Sequence, residues 1–396
     1  MNFEFAKRAD VFKEGIFSVL NEKKNQLQAK GRKIYNLSVG TPDFKPPMHI
    51  MEAVSKAALD PDNYKYSLTE MSELVKAMCD YYDSRFGVEI FADEVMAVYG
   101  SQEGIAHIGL ALLDPGDVIL VPDPGYPIFE IGPFLCGAKV EKYPLYKENG
   151  FLPDFNDIPD EIADKAKFII VSYPLNPVCA VADDDFYHRL IAFAKAHNII
   201  VIHDNAYSDI IFDGRVGKSF LSYEGAKEIG VEFYSLSKSF NLTGARISFV
   251  VGNSEIIKKF KMVRSQIDYG IFYPVQHAAL AALTGPLDEV KAQCAAYEER
   301  NKALCSGLRS IGWDVPDSQG TMFVWAPIPS NYKHSEKFVL DLMEMSGVIC
   351  VPGTAFGKLG EGFVRFALVC DVDTIHELVK SVEECGILTL ENPEEA

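Results

Sequence analysis

A lysine among small hydroxyl residues is the most specific chemical signal in the sequence. Lys238 follows Ser235 and Ser237 in an S-x-S-K pattern, at the end of a run predicted to be a buried strand. A buried lysine must hide its charge, pair it or lose it, and a Schiff base is one way to lose it. Arg246 follows eight residues later with a planar fork suited to phosphate. A lone lysine is more often a solvated charge, but the combination with this arginine is far more specific.

A carboxylate directly after an apolar strand is the second signal. Asp204 follows the apolar run 199–203, and burying a carboxylate there is costly unless it meets a cation or hydrogen-bond donors. Two interpretations stay open at this point. Asp204 is either the N-cap of a helix or an acid that keeps a pyridine nitrogen protonated, so that the ring can accept electrons.

A glycine turn before a helix offers a phosphate site. In the segment 99–104 (YGSQEG), Gly100 lets an anion approach the backbone and Ser101 is predicted to cap the helix that follows. Such turns usually bind nothing, so this signal is weak alone. The triplet at 217–219 (GKS) resembles a P-loop, but Phe212 stands where that motif needs glycine, and no G-x-G-x-x-G opens a helix. Nucleotide chemistry is therefore disfavoured.

Alternating strands and helices must position these residues. Strands are predicted at 95–99, 117–121, 139–144, 167–172, 199–203, 232–236 and 246–252, with amphipathic helices such as 104–113 and 184–197 between them. This rhythm indicates an α/β domain with a mostly parallel sheet, whose ligands bind at the carboxyl ends of the strands.

The alternation of strands and helices becomes less regular after about residue 283. A long charged helix at 287–311 precedes fewer strands, at 322–326 and 363–367, and a final helix at 372–385. We therefore expect a large domain at 46–283, and a smaller α+β domain formed by 1–45, with an N-terminal arm, and 284–396.

Composition excludes several classes of protein. The chain has 396 residues and a net charge of -18, so a nucleic acid or an anionic membrane is an improbable partner. Residues 1–10 lack the apolar stretch of a signal peptide, and no run reaches membrane-spanning length. The eight cysteines and eight histidines are scattered, which favours neither disulfides nor a metal site. We expect a cytoplasmic protein.

Taken together, the chain resembles the class I/II aminotransferases of fold-type I over nearly its whole length. That resemblance implies a three-layer α/β/α large domain and a pyridoxal 5′-phosphate cofactor. The matching segments are 36–44 (NLSVGTPDF), 115–117 (PGD), 122–127 (PDPGYP), 176–177 (NP), 204–207 (DNAY), 234–246 around the S-x-S-K pattern, 352–357 (PGTAFG) and 365–367 (RFA).

The resemblance implies roles at the reacting centre. Lys238 would hold the cofactor as a Schiff base and carry the proton between the substrate Cα and the cofactor C4′. Asp204 would pair with the pyridine nitrogen, while Tyr207 and Asn176 would hydrogen-bond the 3′-oxygen. Tyr126 would stack on the ring, unless it is an ordinary aromatic at the edge of the sheet.

It also implies how the charged groups of cofactor and substrate are held. Arg365 would grip the substrate α-carboxylate with help from the Gly40 backbone and Asn176, unless it makes a surface ion pair. Ser237 could merely cap or pack. The residues expected at the phosphate are Ser101, Gln102, Ser235, Ser237 and Arg246.

Two departures from the family pattern stand out. The family's N-P-T-G turn is N-P-V-C here, ending at Cys179, so the turn chemistry is altered although Asn176 survives. The family tyrosine that reaches the neighbouring subunit's phosphate usually lies in Y-x-x-x-x-G. This chain lacks that glycine, and Tyr66, with Tyr64 as the alternative, is our choice. The resemblance therefore implies a homodimer with shared active sites.

The reaction implied is a ping-pong transfer of an amino group from a small L-amino acid to a 2-oxo acid. Segment 173–253 is most similar to alanine-, aspartate- and LL-diaminopimelate-type enzymes. One alternative keeps the cofactor but makes the protein a C–S β-lyase or a decarboxylase. Another is a non-catalytic regulatory protein, which the presence of both Lys238 and Asp204 disfavours.

Overall fold

The computed structural model describes residues 3–12, 15–391 and 393. They divide into two compact units, a larger one of Thr41–Glu298 with Ser318–Met322, and a smaller one of Met1–Gly40, Glu299–Asp317 and Phe323–Ala396. The predicted large domain, 46–283, falls inside the larger unit, which continues to Glu298. Two predictions concern residues that the structure does not describe. The absence of a signal peptide was predicted from residues 1–10, and the predicted small domain contains residues 1–2, 13–14, 392 and 394–396, which lie outside the described residues.

The described residues form both strands and α-helices along the whole chain. The strands are β1 (Tyr35–Asn36), β2 (Val95–Val98), β3 (Val118–Asp123), β4 (Lys139–Pro144), β5 (Ala166–Val171), β6 (Ile200–Asn205), β7 (Gly230–Ser235), β8 (Ser248–Gly252), β9 (Phe323–Pro327), β10 (Val348–Ile349), β11 (Val351–Pro352) and β12 (Phe363–Ala367). The helices are α1 (Ile16–Ala29), α2 (Met48–Ala58), α3 (Ser72–Phe86), α4 (Ser101–Leu112), α5 (Ile128–Leu135), α6 (Asp160–Ala163), α7 (Asp184–Ala196), α8 (Ala226–Ile229), α9 (Leu236–Ser239), α10 (Ser254–Arg264), α11 (Tyr273–Thr284), α12 (Asp288–Ser310), α13 (Ser335–Ser346) and α14 (Val372–Glu384).

The larger unit is built on one sheet with the strand order β2-β8-β7-β6-β5-β3-β4. Strand β8 runs antiparallel to both of its neighbours, and every other pairing in the sheet is parallel. Strands β2, β7 and β8 are buried at every residue, as strands covered by helices on both faces must be. The predicted three-layer α/β fold with a mostly parallel sheet is therefore confirmed.

Strand direction gathers the chemically interesting residues at one edge of this sheet. Strands β2, β3, β5, β6 and β7 all point the same way, so their carboxyl ends meet at that edge. The reversed strand β8 brings its amino end to the same edge, directly after Arg246. An arginine that precedes a strand and a lysine that follows one can therefore serve a common site.

The smaller unit contains two small sheets, of three and two strands. Strands β11, β12 and β9 pair antiparallel in that order, and β1 pairs in parallel with β10. The unit's β12 has the predicted bounds, whereas β1, β10 and β11 are only two residues long and were not predicted. Two-residue strands carry too little alternation to be seen in a sequence.

No helix within the described residues is long and apolar enough to cross a membrane.

Candidate active site

The phosphate end of the site starts where β2 passes into α4. Gly100 is the N-cap of this helix, with a φ of 91°, and Ser101 is its first residue. The prediction that Ser101 caps the helix is therefore wrong, because its side chain stands one position inside. The Ser101 hydroxyl lies 3.3 Å from the Ser248 hydroxyl, which lies 3.1 Å from that of Ser235. Three hydroxyl groups from α4, β8 and β7 thus form one row beside the first amides of α4.

Arg246 lies against the start of the same helix. A Cβ atom on Gly100 would collide with the guanidinium of Arg246, so only glycine leaves room for this arginine. Arg246 has a φ of 55°, unusual for a residue with a side chain, and its Nη1 donates to the Thr243 carbonyl at 3.0 Å. The guanidinium of Arg246 therefore lies beside Gly100, the residue directly before Ser101.

Gln102 and Tyr126 contact each other at this edge. The Tyr126 hydroxyl donates to Gln102 Oε1 at 3.1 Å, joining the loop after β3 to the first turn of α4. Tyr126 also packs edge-on against Phe129, with 6.1 Å between the ring centroids. The tyrosine is thus tied to a second residue of the predicted site.

Lys238 lies in the short helix α9, one turn beyond β7, rather than at the end of the strand itself. Ser235 is the N-cap of α9 and accepts a hydrogen bond from the Ser237 amide at 3.2 Å, so Ser235 and not Ser237 does the capping. Gln293 Nε2 donates to the Lys238 carbonyl at 2.8 Å, and Gln293 Oε1 accepts from Asn241 at 2.6 Å. This chain of hydrogen bonds fixes the backbone that carries the lysine.

Asp204 is inside β6, so the interpretation as a helix N-cap is wrong. Its backbone carbonyl accepts from the Ser172 hydroxyl at 2.8 Å. The side chain is buried, and Oδ1 has no hydrogen-bond partner among the described residues. Burial, with a smaller contribution from the charge of Glu232, raises the pKa of Asp204 to about 7. A buried carboxyl group without a partner is stabilised by a hydrogen-bond donor, and most strongly by a cationic N–H group.

Tyr207 and Asn176 are both buried in the larger unit, after β6 and β5 respectively. The turn after Asn176 has cysteine where the family has glycine. Cys179 occupies that place with a φ of 61°, and its amide donates to the Leu175 carbonyl at 2.7 Å. Cysteine therefore adopts the left-handed conformation for which glycine is the usual residue.

Tyr66 and Tyr64 are both exposed in the larger unit. Tyr64 donates its hydroxyl to the Ala58 carbonyl at 2.8 Å, and its ring packs on Phe272. Tyr66 is 75% exposed and packs on Tyr269, with 5.0 Å between the ring centroids. The two tyrosines thus differ, because the hydroxyl group of Tyr64 donates a hydrogen bond to the backbone of the same unit.

Arg365 and Gly40 form a cluster within the smaller unit. Arg365 is only 4% exposed, so the alternative of a surface ion pair is wrong. Its guanidinium lies 4.2 Å from the ring centroid of Phe323 and 4.7 Å from that of Phe356, and Nη2 donates to the Ser38 carbonyl at 3.1 Å. A Cβ atom on Gly40 would lie 2.6 Å from Phe323 Cζ. The aromatic rings hold this arginine in one orientation.

The groups at the sheet edge fit pyridoxal 5′-phosphate. The hydroxyl row, the amides of α4 and Arg246 are the donor set of a phosphate site. Asp204, buried with an unpartnered oxygen, matches a protonated ring nitrogen. Lys238, the expected nucleophile, lies in α9, directly after the strand β7 that pairs with the strand of Asp204. The residues present thus offer a partner to each charged or reactive group of the cofactor.

Sequence reasoning missed several residues that support this site. Ser248 joins Ser101 to Ser235, and Gln293 holds Lys238 from a helix 55 residues away in sequence. Glu232 is fully buried. A charged residue within an otherwise apolar strand was the available signal for Glu232, whereas the contact of Gln293 depends on tertiary packing and leaves no local pattern.

Known families and proteins match nearly the whole chain. The family model of the aminotransferases class I and II matches residues 32–382. An LL-diaminopimelate aminotransferase of Dehalococcoides mccartyi is 44% identical over 367 residues, covering 92% of this chain and 94% of the relative. Another, of Aquifex aeolicus, is 39% identical over 383 residues, covering 96% and 99%.

Solved structures give the same result. Substrate-bound BacF from Bacillus subtilis is similar with a TM-score of 0.93 and 36% identity, covering 99% of both chains. A probable N-succinyldiaminopimelate aminotransferase from Thermus thermophilus has a TM-score of 0.89 and 32% identity, covering 94% of this chain and 100% of that one. The curated relatives are named as aminotransferases, which favours neither the lyase nor a non-catalytic protein. The chain is a transaminase and belongs to the aminotransferase class I and II family.

Proposed function

We propose that this transaminase holds pyridoxal 5′-phosphate on Lys238 and takes LL-diaminopimelate, or a closely similar amino acid, as its amino donor. The family depends on this cofactor in general. The observation that carries the proposal is the buried carboxyl of Asp204, whose Oδ1 has no hydrogen-bond partner among the described residues. The donor is proposed from the names of relatives 44% and 39% identical to the chain.

Each residue then has a task. When bound, the cofactor carries the amino group and accepts electrons from the substrate. Lys238 moves the proton at the substrate Cα, and Asp204 holds the proton at the ring nitrogen. Tyr207 and Asn176 donate to the ring oxygen, and Tyr126 covers the ring.

The remaining charged groups orient cofactor and substrate. Arg365 binds the α-carboxylate through its planar fork, assisted by the backbone of Gly40, and Asn176 is a further substrate-binding residue. The two half-reactions use one site in turn, so the kinetics are ping-pong. The phosphate is held by Ser101, Gln102, Ser235, Ser237 and Arg246.

We further propose a homodimer in which Tyr66 reaches the phosphate of the neighbouring subunit. Its exposure of 75% and its ring contact with the exposed Tyr269 support this choice over Tyr64, whose hydroxyl donates to the Ala58 carbonyl. Residues 46–283 would form the cofactor-binding domain. The cytoplasmic location stays a prediction from the sequence.

A donor panel tests the proposal. The purified protein with added cofactor is given LL-diaminopimelate, meso-diaminopimelate, L-aspartate or L-alanine, with 2-oxoglutarate as acceptor, and glutamate and ammonia are measured. We expect glutamate from LL-diaminopimelate, far less from the meso form, and no ammonia. Glutamate from another donor alone would overturn the substrate proposal, and ammonia in place of glutamate would overturn the transfer.

A further inference from the structure

Glu232 is a fully buried carboxylate with no part in the proposed reaction. It lies in β7, and four groups donate to it at 2.8 Å each: Tyr82 and Ser219 to Oε1, and the Phe220 amide and His203 Nδ1 to Oε2. Burial raises the pKa of Glu232, but the hydrogen bond and the charge interaction with His203, together with the hydrogen bonds from Ser219 and Tyr82, outweigh burial and leave the pKa below its ordinary value. Glu232 is therefore ionised inside the sheet.

The contacts of His203 are compatible with a neutral ring. His203 is also fully buried, with Nδ1 on Glu232 and Nε2 3.3 Å from the Tyr187 hydroxyl. A neutral imidazole satisfies both contacts, because Nδ1–H donates to the carboxylate and Nε2 accepts from Tyr187. The other groups around the pair, Tyr82 from α3 and Tyr187 from α7, are phenols whose pKa values burial raises well above the ordinary value. With His203 in this neutral form, the pair carries one negative charge.

This charge lies next to the strand position of Asp204. His203 and Glu232 are partners across β6 and β7, and Asp204 is the next residue along β6. Successive side chains of a strand point to opposite faces, so the Glu232–His203 pair lies on one face of the sheet and Asp204 on the other. Because the strands are buried on both faces, little solvent screens the two carboxyl groups from each other.

We propose that Glu232 is a positioning residue for Asp204: the Glu232–His203 pair fixes the strand that carries Asp204, and its charge favours a cationic donor over a neutral one at the Asp204 carboxylate. The inference rests on the proposed binding of a ring nitrogen at Asp204. A buried charge costs free energy inside a protein. The proposed role in the site explains why Glu232 is charged and buried.

The first test reads Asp204 directly in the cofactor-free protein, so it does not depend on turnover. The carboxyl pKa is followed by infrared spectroscopy, with Asp204→Asn to identify the band. Glu232→Gln keeps the size of the side chain, and the hydroxyl groups of Tyr82 and Ser219 can turn to accept from the new amide. We expect the pKa of Asp204 to fall by about one unit. An unchanged pKa in folded Glu232→Gln would overturn the proposal.

His203→Asn is the matched variant and also serves where Glu232→Gln does not fold. Asparagine keeps a donor near the position of Nδ1 while removing the imidazole. We expect the pKa of Asp204 to stay within a few tenths of a unit, since a neutral ring is exchanged for a neutral amide. A rise of a unit or more would mean that the imidazole is cationic and cancels Glu232, which contradicts the proposal.

The second test compares pyridoxal 5′-phosphate with its 1-deaza analogue, which has carbon in place of the ring nitrogen. Both are titrated against Lys238→Ala, with and without Glu232→Gln, and dissociation constants are measured by fluorescence. We expect Glu232→Gln to weaken binding of the natural cofactor about tenfold, the equivalent of one pKa unit, and to leave the analogue unchanged. Equally weakened binding of the cofactor and of its analogue would mean that Glu232 has only a structural role, which would overturn the proposal. Failure of the transaminase proposal would appear instead as an absence of glutamate in the donor panel.

Discussion

The guanidinium of Arg365 lies 4.2 Å from the ring centroid of Phe323, and the same ring closes the space beside Gly40. The arginine proposed to bind the substrate carboxylate and the glycine proposed to help it are therefore linked through one aromatic side chain. A change at either residue must act on the other, because Phe323 and Arg365 are both buried.

Gly40→Ala should disturb substrate binding without touching the cofactor. A Cβ atom 2.6 Å from Phe323 Cζ forces the ring to move, and Arg365 with it. We expect KM for the amino donor to rise about tenfold, the loss of one well-oriented charge-assisted contact, with a smaller change in kcat. Steady-state kinetics measures this. Gly15→Ala, where nothing lies within 4 Å, is the control and should leave both constants alone. An unchanged KM in Gly40→Ala would contradict the link.

Gly100→Ala should weaken the hold on the phosphate. The added methyl group would collide with the guanidinium of Arg246 and would also sit on a backbone with a φ of 91°. We expect the dissociation constant of pyridoxal 5′-phosphate to rise at least tenfold, measured by fluorescence titration.

Gly116→Ala separates the two effects of that change. Gly116 has a similar φ of 95°, but nothing lies within 4 Å of its added Cβ atom. It should lose about 1 kcal/mol of stability and keep its cofactor affinity. Equal loss of affinity in both variants would mean that backbone strain, and not contact with Arg246, explains the effect.

Asp204→Asn should stabilise the cofactor-free protein at high pH. The pKa of Asp204 is about 7 in the folded chain against an ordinary value of 3.8, so the folded state binds a proton that the unfolded state has lost. Stability must fall as the pH rises from about 4 to 7, because the carboxyl group ionises in the unfolded state while it stays protonated in the folded state. Urea unfolding should therefore show Asp204→Asn more stable by roughly 2–4 kcal/mol at pH 8, with the gain shrinking toward pH 5.

The exposed Asp157→Asn is the control for that comparison and is unfolded with urea over the same pH range. A constant difference between Asp204→Asn and the natural protein across this range would indicate that Asp204 is ionised in the folded state.

Replacing Cys179 by glycine should destabilise the protein less than replacing it by alanine. Its φ of 61° penalises any residue with a Cβ atom, whereas both substitutions lose the contact of Sγ with the Thr321 hydroxyl. Urea unfolding should find Cys179→Gly more stable than Cys179→Ala by about 1 kcal/mol. At Cys305, inside α12, the order should reverse, with alanine ahead by a similar amount. Alanine ahead at both positions would disprove the strain at Cys179.

The sequence predicted the larger unit well because its strands are apolar runs between clear turn signals. The bounds of β4 and β12 are as predicted, and those of β6 and β7 are shifted by one or two residues. Short pairings such as β1 with β10 went unseen, since two residues show no periodicity. The predicted cap at Ser101 failed because Gly100, in a conformation that only glycine readily adopts, begins the helix instead.

The site shows a similar division between local and distant signals. Lys238, Asp204 and Arg246 were found because each stands beside a strand end with an unusual residue type for its place. Gln293 and the Glu232–His203 pair were not found, since their contacts join segments distant in sequence. Motifs thus identify the groups proposed to touch cofactor and substrate, while the residues that hold them in place require the fold.

Attachment of the cofactor to Lys238 is tested most directly by reducing the protein with borohydride in the presence of pyridoxal 5′-phosphate, followed by digestion and mass spectrometry. We expect one modified peptide, containing Lys238, in the natural protein, and no modification of that peptide in Lys238→Ala. Modification at a different lysine, or none at all in folded protein, would contradict the assignment of Lys238 as the residue that holds the cofactor.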